Sequence, residues 1–250
     1  MLLNSPSWVV EVLSERGGRI TSLRLSGEEL LDQGIGIDDP SSPDFVAGGA
    51  QGWDEMVPNV EAFGLLPDHG EAWRTPWVVD EESPTAVVMS CRGRAVPFEL
   101  RRRIELGERV RVDYSYRNAG AESHLAYWCA HPLFRFENGM EIGVPGGAEL
   151  AVLAEGTSTK RFLPKGSIDR ARLGWRSGAA VQLEWDAGLT PYVGIWVCNG
   201  DLGGYRQIAV EPATGGNDRP DLAAPPPMLA PGETFEWWLE ISDRRTGKRV

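Results

Sequence analysis

The chain has 250 residues, 42% of them hydrophobic, and a formal net charge of −11. That size and apolar content can bury a large core, and β-sandwiches of this length commonly form one unit, here expected to span residues 1–250. The charge argues against nucleic acid and anionic membrane as partners, since both need a basic face, and it disfavours a phosphorylated substrate.

Short alternating segments dominate, starting with predicted strands at 8–13 and 19–25. The amino-terminal MLLNSPSWVVEVL lacks a basic start, and no apolar run approaches a membrane span, so a cytoplasmic protein is expected. Residues 32–73 then resist strand assignment, and a long irregular stretch in a compact β-protein usually carries function. Within it, GWDEMVPNV places Asp54 and Glu55 either as hydroxyl acceptors or as solvated loop acids. The stretch LPDHGEAWRTPW sets His69 between Asp68 and Glu71 and closes with Trp73, Arg74 and Trp77. His69 and Glu71 would share a face on a strand, but without a second nearby histidine they make a poor metal site.

Further strands are predicted at 85–90, 98–106 and 109–116. In FELRRRIEL, Phe98, Leu100, Ile104 and Leu106 share one parity, and Val110, Val112, Tyr114 and Tyr116 match them across the hairpin. The arginine cluster therefore reads as the hairpin's solvent side. In AYWCAHPLFRF, a strand predicted at 126–136, Trp128, Ala130, Phe134 and Phe136 fall on one side, opposite Tyr127, Cys129, His131 and Arg135. Pro132 removes a ladder donor and so belongs at an edge, a bulge or a strand end. His131 is then either a core histidine satisfied by a neighbour or a side chain aimed into a cleft.

Strands follow at 180–185, 192–198 and 206–211. In RQIAVEPATGG, Ile208 and Val210 make one face, Glu211 lies on the other, and Pro212 is expected to stop the ladder. A carboxylate on an apolar strand is costly unless paired or near solvent. His131 and Glu211, each before a proline, would form an acid/base pair if their strands face each other. Residues 212–232 are again irregular, TFEWWLEIS at 234–242 returns to the core, and DRRTGKRV should fray. No amphipathic helix of three turns is found, and 30 glycines and 18 prolines punctuate the chain, so it reads as all-β. Cys91, Cys129 and Cys198 are too sparse for a disulfide framework or a zinc-finger set and read as reduced thiols.

The ordered motifs GGRITSLRL, GWDEMVPNV, DHGEAWRTPW, AYWCAHPLFRF, SIDRARLGW, IAVEPATG and LAPGETFEWWLEIS cover nearly the whole chain. Together they resemble the aldose 1-epimerases, or galactose mutarotase-like proteins. The resemblance implies a β-sandwich (a supersandwich) of large curved antiparallel sheets, with a small-molecule sugar in a groove on one face. It implies that Glu211 is the general base, that His131 is the general acid, and that His69 and Asp169 contact the substrate. Asp54 and Arg74 are further candidates for binding sugar hydroxyls.

Interconverting α and β anomers requires removing the C1 hydroxyl proton and delivering one to the ring oxygen. A carboxylate and an imidazole can do this without metal or cofactor. Relatives acting on hexose 6-phosphates tend to read HGFAR followed by Asn; here Trp73 takes the Arg slot, and AGGAQGWDEMVPN has no Arg. A free aldose is therefore expected, acted on by a monomer or homodimer. A non-catalytic carbohydrate-binding or regulatory protein on the same scaffold, and a glycoside hydrolase using Glu211 with Asp169, are the competing readings.

Overall fold

The computed structural model describes residues 1–39, 41–221 and 223–245, so the end of the tail expected to fray, residues 246–250, lies outside the described residues. Two large antiparallel sheets pack face to face. In spatial order the first contains Leu2–Asn4, Trp8–Leu13, Arg19–Leu25, Trp53–Met56, Cys129–Arg135, Arg206–Ala213, Tyr192–Asn199 and Thr157–Leu163, with Glu28–Glu29 paired to Arg19–Leu25. The second contains Glu141–Gly143, Arg170–Gly174, Ala180–Trp185, Thr234–Asp243, Arg109–Asn118, Phe98–Leu106, Ala86–Arg92 and Val78–Glu82. A small ladder joins His124–Leu125 to Met228–Leu229. The fold is all-β, and among the described residues it has one short helix, Gly147–Leu150, and one turn of 3-10 helix, Ala72–Arg74. Among the described residues no helix is long and apolar enough to cross a membrane.

The alternation has the consequence expected of it. Phe98, Leu100, Ile104 and Leu106 are buried against Val110, Val112, Tyr114 and Tyr116, in the core shared by the two sheets. Each such side chain contributes about 1.5–3 kcal/mol on burial. Arg101 and Arg103 point out, but Arg102 keeps the inner parity and is fully buried, which corrects the reading of the whole cluster as solvent-facing. Its partner is Glu55 of Trp53–Met56, and their guanidinium and carboxylate lie 2.9 Å apart. Tyr114 and Trp128 donate to the same carboxylate at 2.9 and 2.8 Å. A fully donated carboxylate is what makes a charge tolerable between the sheets.

Trp53–Met56 also corrects the expectation that 32–73 is irregular throughout. Its four residues are all buried, because both faces of this central strand are covered. Pro132 and Pro212 likewise sit inside strands, Cys129–Arg135 and Arg206–Ala213, rather than ending them. Cys91, Cys129 and Cys198 are buried and form no disulfide.

Candidate functional site

The two prolines locate the site. Strands Cys129–Arg135 and Arg206–Ala213 pair Cys129 with Ala213 and Leu133 with Ala209, and the ladder skips the residues between. Neither proline has an N–H to offer there. Each strand stays paired to its outer neighbour, Trp53–Met56 on one side and Tyr192–Asn199 on the other. Carried through the gap, the same register sets His131 opposite Glu211.

The inner side chains of these strands, including Trp128, Ala130, Ile208 and Val210, enter the inter-sheet core. The opposite face carries Tyr127, Cys129, Leu133, Ala209 and Ala213, which form a second apolar cluster with Phe45, Trp73 and Tyr205 from the covering loops. That face lines a cavity of about 190 Å³ in which His69, His131, Glu211, Lys160 and Asp218 meet a wall containing Phe45, Leu133 and Trp196. Small-molecule sites are commonly of this kind, apolar walls with a few convergent polar groups. A larger cleft, about 370 Å³, lies on the outer face of the second sheet. Its arginines are spent on surface ion pairs, Arg111 with Asp113 and Glu240 and Arg103 with Glu105, and it holds no histidine.

His131 Nε2 lies 3.7 Å from Glu211 Oε1, and both side chains are almost wholly buried. Among the described residues, Glu211 Oε1 and His131 Nδ1 have no hydrogen-bond partner. Burial pushes the Glu211 carboxyl up, against the opposing pull of Lys160. Burial pushes the His131 imidazole well down, and His69 and Lys160 add to that effect. Removing a charge from water disfavours the charged form of either group, so both are held toward neutrality.

His69 sits on a tight turn. Its φ is +56°, a region an L-residue rarely adopts, and its N–H donates to Val60 O at 2.7 Å. The ring stacks on Phe45 at 4.3 Å and meets His131 edge-on at 5.4 Å. Behind it, Asp68 lies 2.9 Å from His69 Nδ1 and accepts the Phe45 N–H at 2.8 Å. Burial is the largest single influence and works against the Asp68 charge, but the adjacent His69 imidazole and the Phe45 N–H together outweigh it and lower this carboxyl. Trp73 is buried, packs edge-on against Phe45, and donates Nε1–H to Asp68 O. The tryptophan in the Arg slot is thus a brace for the histidine turn.

The other expected contacts fare differently. Asp54 stands beside His131 in register, yet it is buried with both oxygens held by Arg19, at 3.0 and 3.1 Å from Nε. Burial still pushes the Asp54 carboxyl up despite Arg19. Arg74 lies on the 3-10 turn with its guanidinium over Trp73 at 5.6 Å, outside the cavity lining. Asp169 corrects more sharply: it precedes a strand of the second sheet, is exposed, and is tied to the adjacent Arg170. Glu71 is turned from the cavity and accepts the N–H groups of Arg94 and Ala95.

In their place stand two residues that the sequence did not single out. Lys160 Nζ lies 2.6 Å from Glu211 Oε2 and 2.6 Å from Asp218 Oδ1. Asp218 comes from the irregular stretch 212–232, where function was expected of the loop without naming the residue. Among the described residues, no group of three or more His, Cys, Asp or Glu side chains is placed to hold a metal ion.

No family model matches the chain, and no curated protein matches it by sequence. Solved structures do. The protein Slr1438 from Synechocystis sp. PCC 6803 superposes with a TM-score of 0.77 at 16% identity, over 98% of this chain and 94% of that one. A putative aldose 1-epimerase from Escherichia coli K12 superposes at 0.76 with 18% identity, covering 98% of both chains. A galactose mutarotase-like protein from Lactobacillus casei gives 0.71 at 17% identity over 98% and 99%. Identities this low speak to architecture, and the architecture of this chain is the galactose mutarotase-like β-fold.

Proposed function

We propose that the protein is an aldose 1-epimerase acting on a free, unphosphorylated aldose. One observation carries the proposal: Glu211 Oε1 and His131 Nε2 lie 3.7 Å apart, buried, on the floor of a sugar-sized cavity. The C1 hydroxyl and the ring oxygen share one carbon, so the groups that serve them must be near neighbours. Glu211 takes the C1 hydroxyl proton while His131 delivers one to the ring oxygen. The ring opens, the C1–C2 bond rotates to present the other carbonyl face, and the steps reverse. His69 donates to the sugar, and Trp196 and Phe45 offer apolar surface to its C–H faces.

The pair must hold one proton between its members, since a base and an acid are both needed. Burial opposes the ion pair of carboxylate and imidazolium, and a bound sugar with its hydroxyls supplies the hydrogen bonds that Oε1 lacks. The hydrolase reading loses Asp169 as its second carboxylate, because that residue is exposed beside Arg170 at the start of a strand of the other sheet. The test is polarimetry or NMR on freshly dissolved single anomers across an aldose panel. Acceleration of at least one aldose is expected. Sugar binding with no acceleration of any would support the non-catalytic reading instead.

Specificity follows from charge. The cavity lining has no arginine among the described residues, and the Lys160 ammonium is held by two carboxylates. A phosphate dianion would meet Glu211 and Asp218 without a free cation in the lining to offset them. Hexose 6-phosphates should therefore neither be anomerised nor compete with the free sugar. Competition at equal concentration in the polarimetric assay would contradict this.

A further inference from the structure

We propose that Lys160 is a positioning residue of this site. It fixes which oxygen of Glu211 meets the substrate and supplies the positive charge beside which Glu211 and His131 exchange their proton. The proposal rests on the epimerase reading above.

The route Lys160 takes is the first support. It lies on the edge strand Thr157–Leu163, paired with Trp196 of the neighbouring strand, and Glu211 is a further strand away. The side chain must therefore cross strand Tyr192–Asn199 diagonally. It does so over Gly194, the residue paired with Glu211. A Cβ at Gly194 would lie 3.0 Å from Lys160 Cε and 2.9 Å from Glu211 Oε2, distances too short for a comfortable contact. The missing side chain is what lets the lysine through.

The result at Glu211 is the second support. Lys160 occupies Oε2 at 2.6 Å, while Oε1 accepts no hydrogen bond among the described residues and faces His131. A carboxylate free to rotate would offer either oxygen, whereas this one offers only Oε1. Asp218 Oδ1 holds the far side of the ammonium and keeps it charged, as Glu211 does: both raise the lysine against its burial.

The titratable groups around Glu211 come from every neighbouring element: Lys160, Asp218, His69 and His131, with Tyr127 and Cys129 from the adjacent strand and its approach. Burial pushes Tyr127 and Cys129 well up, so both stay neutral. Lys160 and Asp218 then act with opposite signs. Removing the positive charge makes Glu211 and His131 keep their protons to higher pH, and removing the Asp218 charge does the reverse. An ion at this range moves a neighbour by about 1–3 pH units.

Three variants test this, each compared with wild type in two measurements. The first is the pH profile of kcat/KM for anomerisation. The second is the carboxyl carbon signal of Glu211 in 13C-glutamate-labelled protein, assigned by its loss in Glu211→Gln, which needs no activity. Lys160→Met should move the acid limb and the carbon titration upward together, since both report Glu211 in the free enzyme. Gly194→Ala, which keeps the lysine but obstructs its path, should move them the same way by less. Asp218→Asn should move both downward. Losses of activity with unmoved titrations, or shifts of one sign in Lys160→Met and Asp218→Asn alike, overturn the proposal. If the wild type anomerises nothing while its Glu211 signal follows these signs, the epimerase reading falls, and the catalytic half of this proposal with it.

Discussion

Replacing Glu211 with Gln is expected to slow anomerisation by about 10²–10⁴-fold, the range a general acid or base contributes. The substitution keeps the shape and removes the basicity. Its amide oxygen can still accept from Lys160, and the ammonium retains Asp218 at 2.6 Å, so no buried charge is left without a partner. Folding and sugar binding should therefore survive, which separates a catalytic loss from a structural one. The amide could hold the sugar's C1 hydroxyl in place but could not take its proton. Polarimetry with a fresh single anomer, paired with calorimetric sugar binding, makes the measurement. A variant that binds sugar and anomerises at the wild-type rate would remove Glu211 from the mechanism.

Much of the fold was legible because the sheets are regular where they meet. Strands Phe98–Leu106 and Ala180–Trp185 match their predicted bounds, and the inner parity of 98–106 and 109–118 is the buried one. Alternation works there because one face is core and the other water. It fails at Trp53–Met56, where both faces are covered and two of the four residues are acids. Those acids are explained only by Arg19 and Arg102, which lie far off in sequence, and spacing within a strand cannot show a partner on another.

The candidate site was legible only in part. His131 and Glu211 could be named because each interrupts an apolar strand and precedes a proline. What could not be seen was that their registers coincide, since strand order is a property of the folded sheet. Lys160 was missed for a different reason. TSTKRFL has little apolar alternation, and a lysine on an edge strand ordinarily serves to blunt the edge. The gap left by Gly194 on the neighbouring strand is what shows that this lysine turns inward. Asp169 failed in the opposite sense: its motif lies in the expected order, but the strand that follows it belongs to the other sheet.

The largest expected effect on stability lies away from the cavity, at Arg102. Arg102→Met should destabilise the protein by about 3–5 kcal/mol, the usual result of removing one member of a buried ion pair. Glu55 would keep the Tyr114 and Trp128 donors but lose the Arg102 cation placed 2.9 Å from its carboxylate. Arg102 also donates to Gly18 O and lies 4.8 Å over the Trp77 ring, so the sheets lose a tie as well as a charge. The deficit should depend on pH in a definite direction. Burial already raises the Glu55 carboxyl, with Arg102 as the main opposing influence, so removing Arg102 raises it further. The folded variant then holds a proton that the unfolded chain releases above the ordinary carboxylate value, so stability falls as pH climbs from there toward the raised one. Urea unfolding at pH 5 and pH 8 should show the larger loss at pH 8. A second substitution, Glu55→Gln, should recover part of the loss and flatten its pH dependence, because the amide needs no cation. Equal losses at both pH values, unaffected by Glu55→Gln, would mean that Arg102 acts through packing and that the Glu55 charge between the sheets is not what it stabilises.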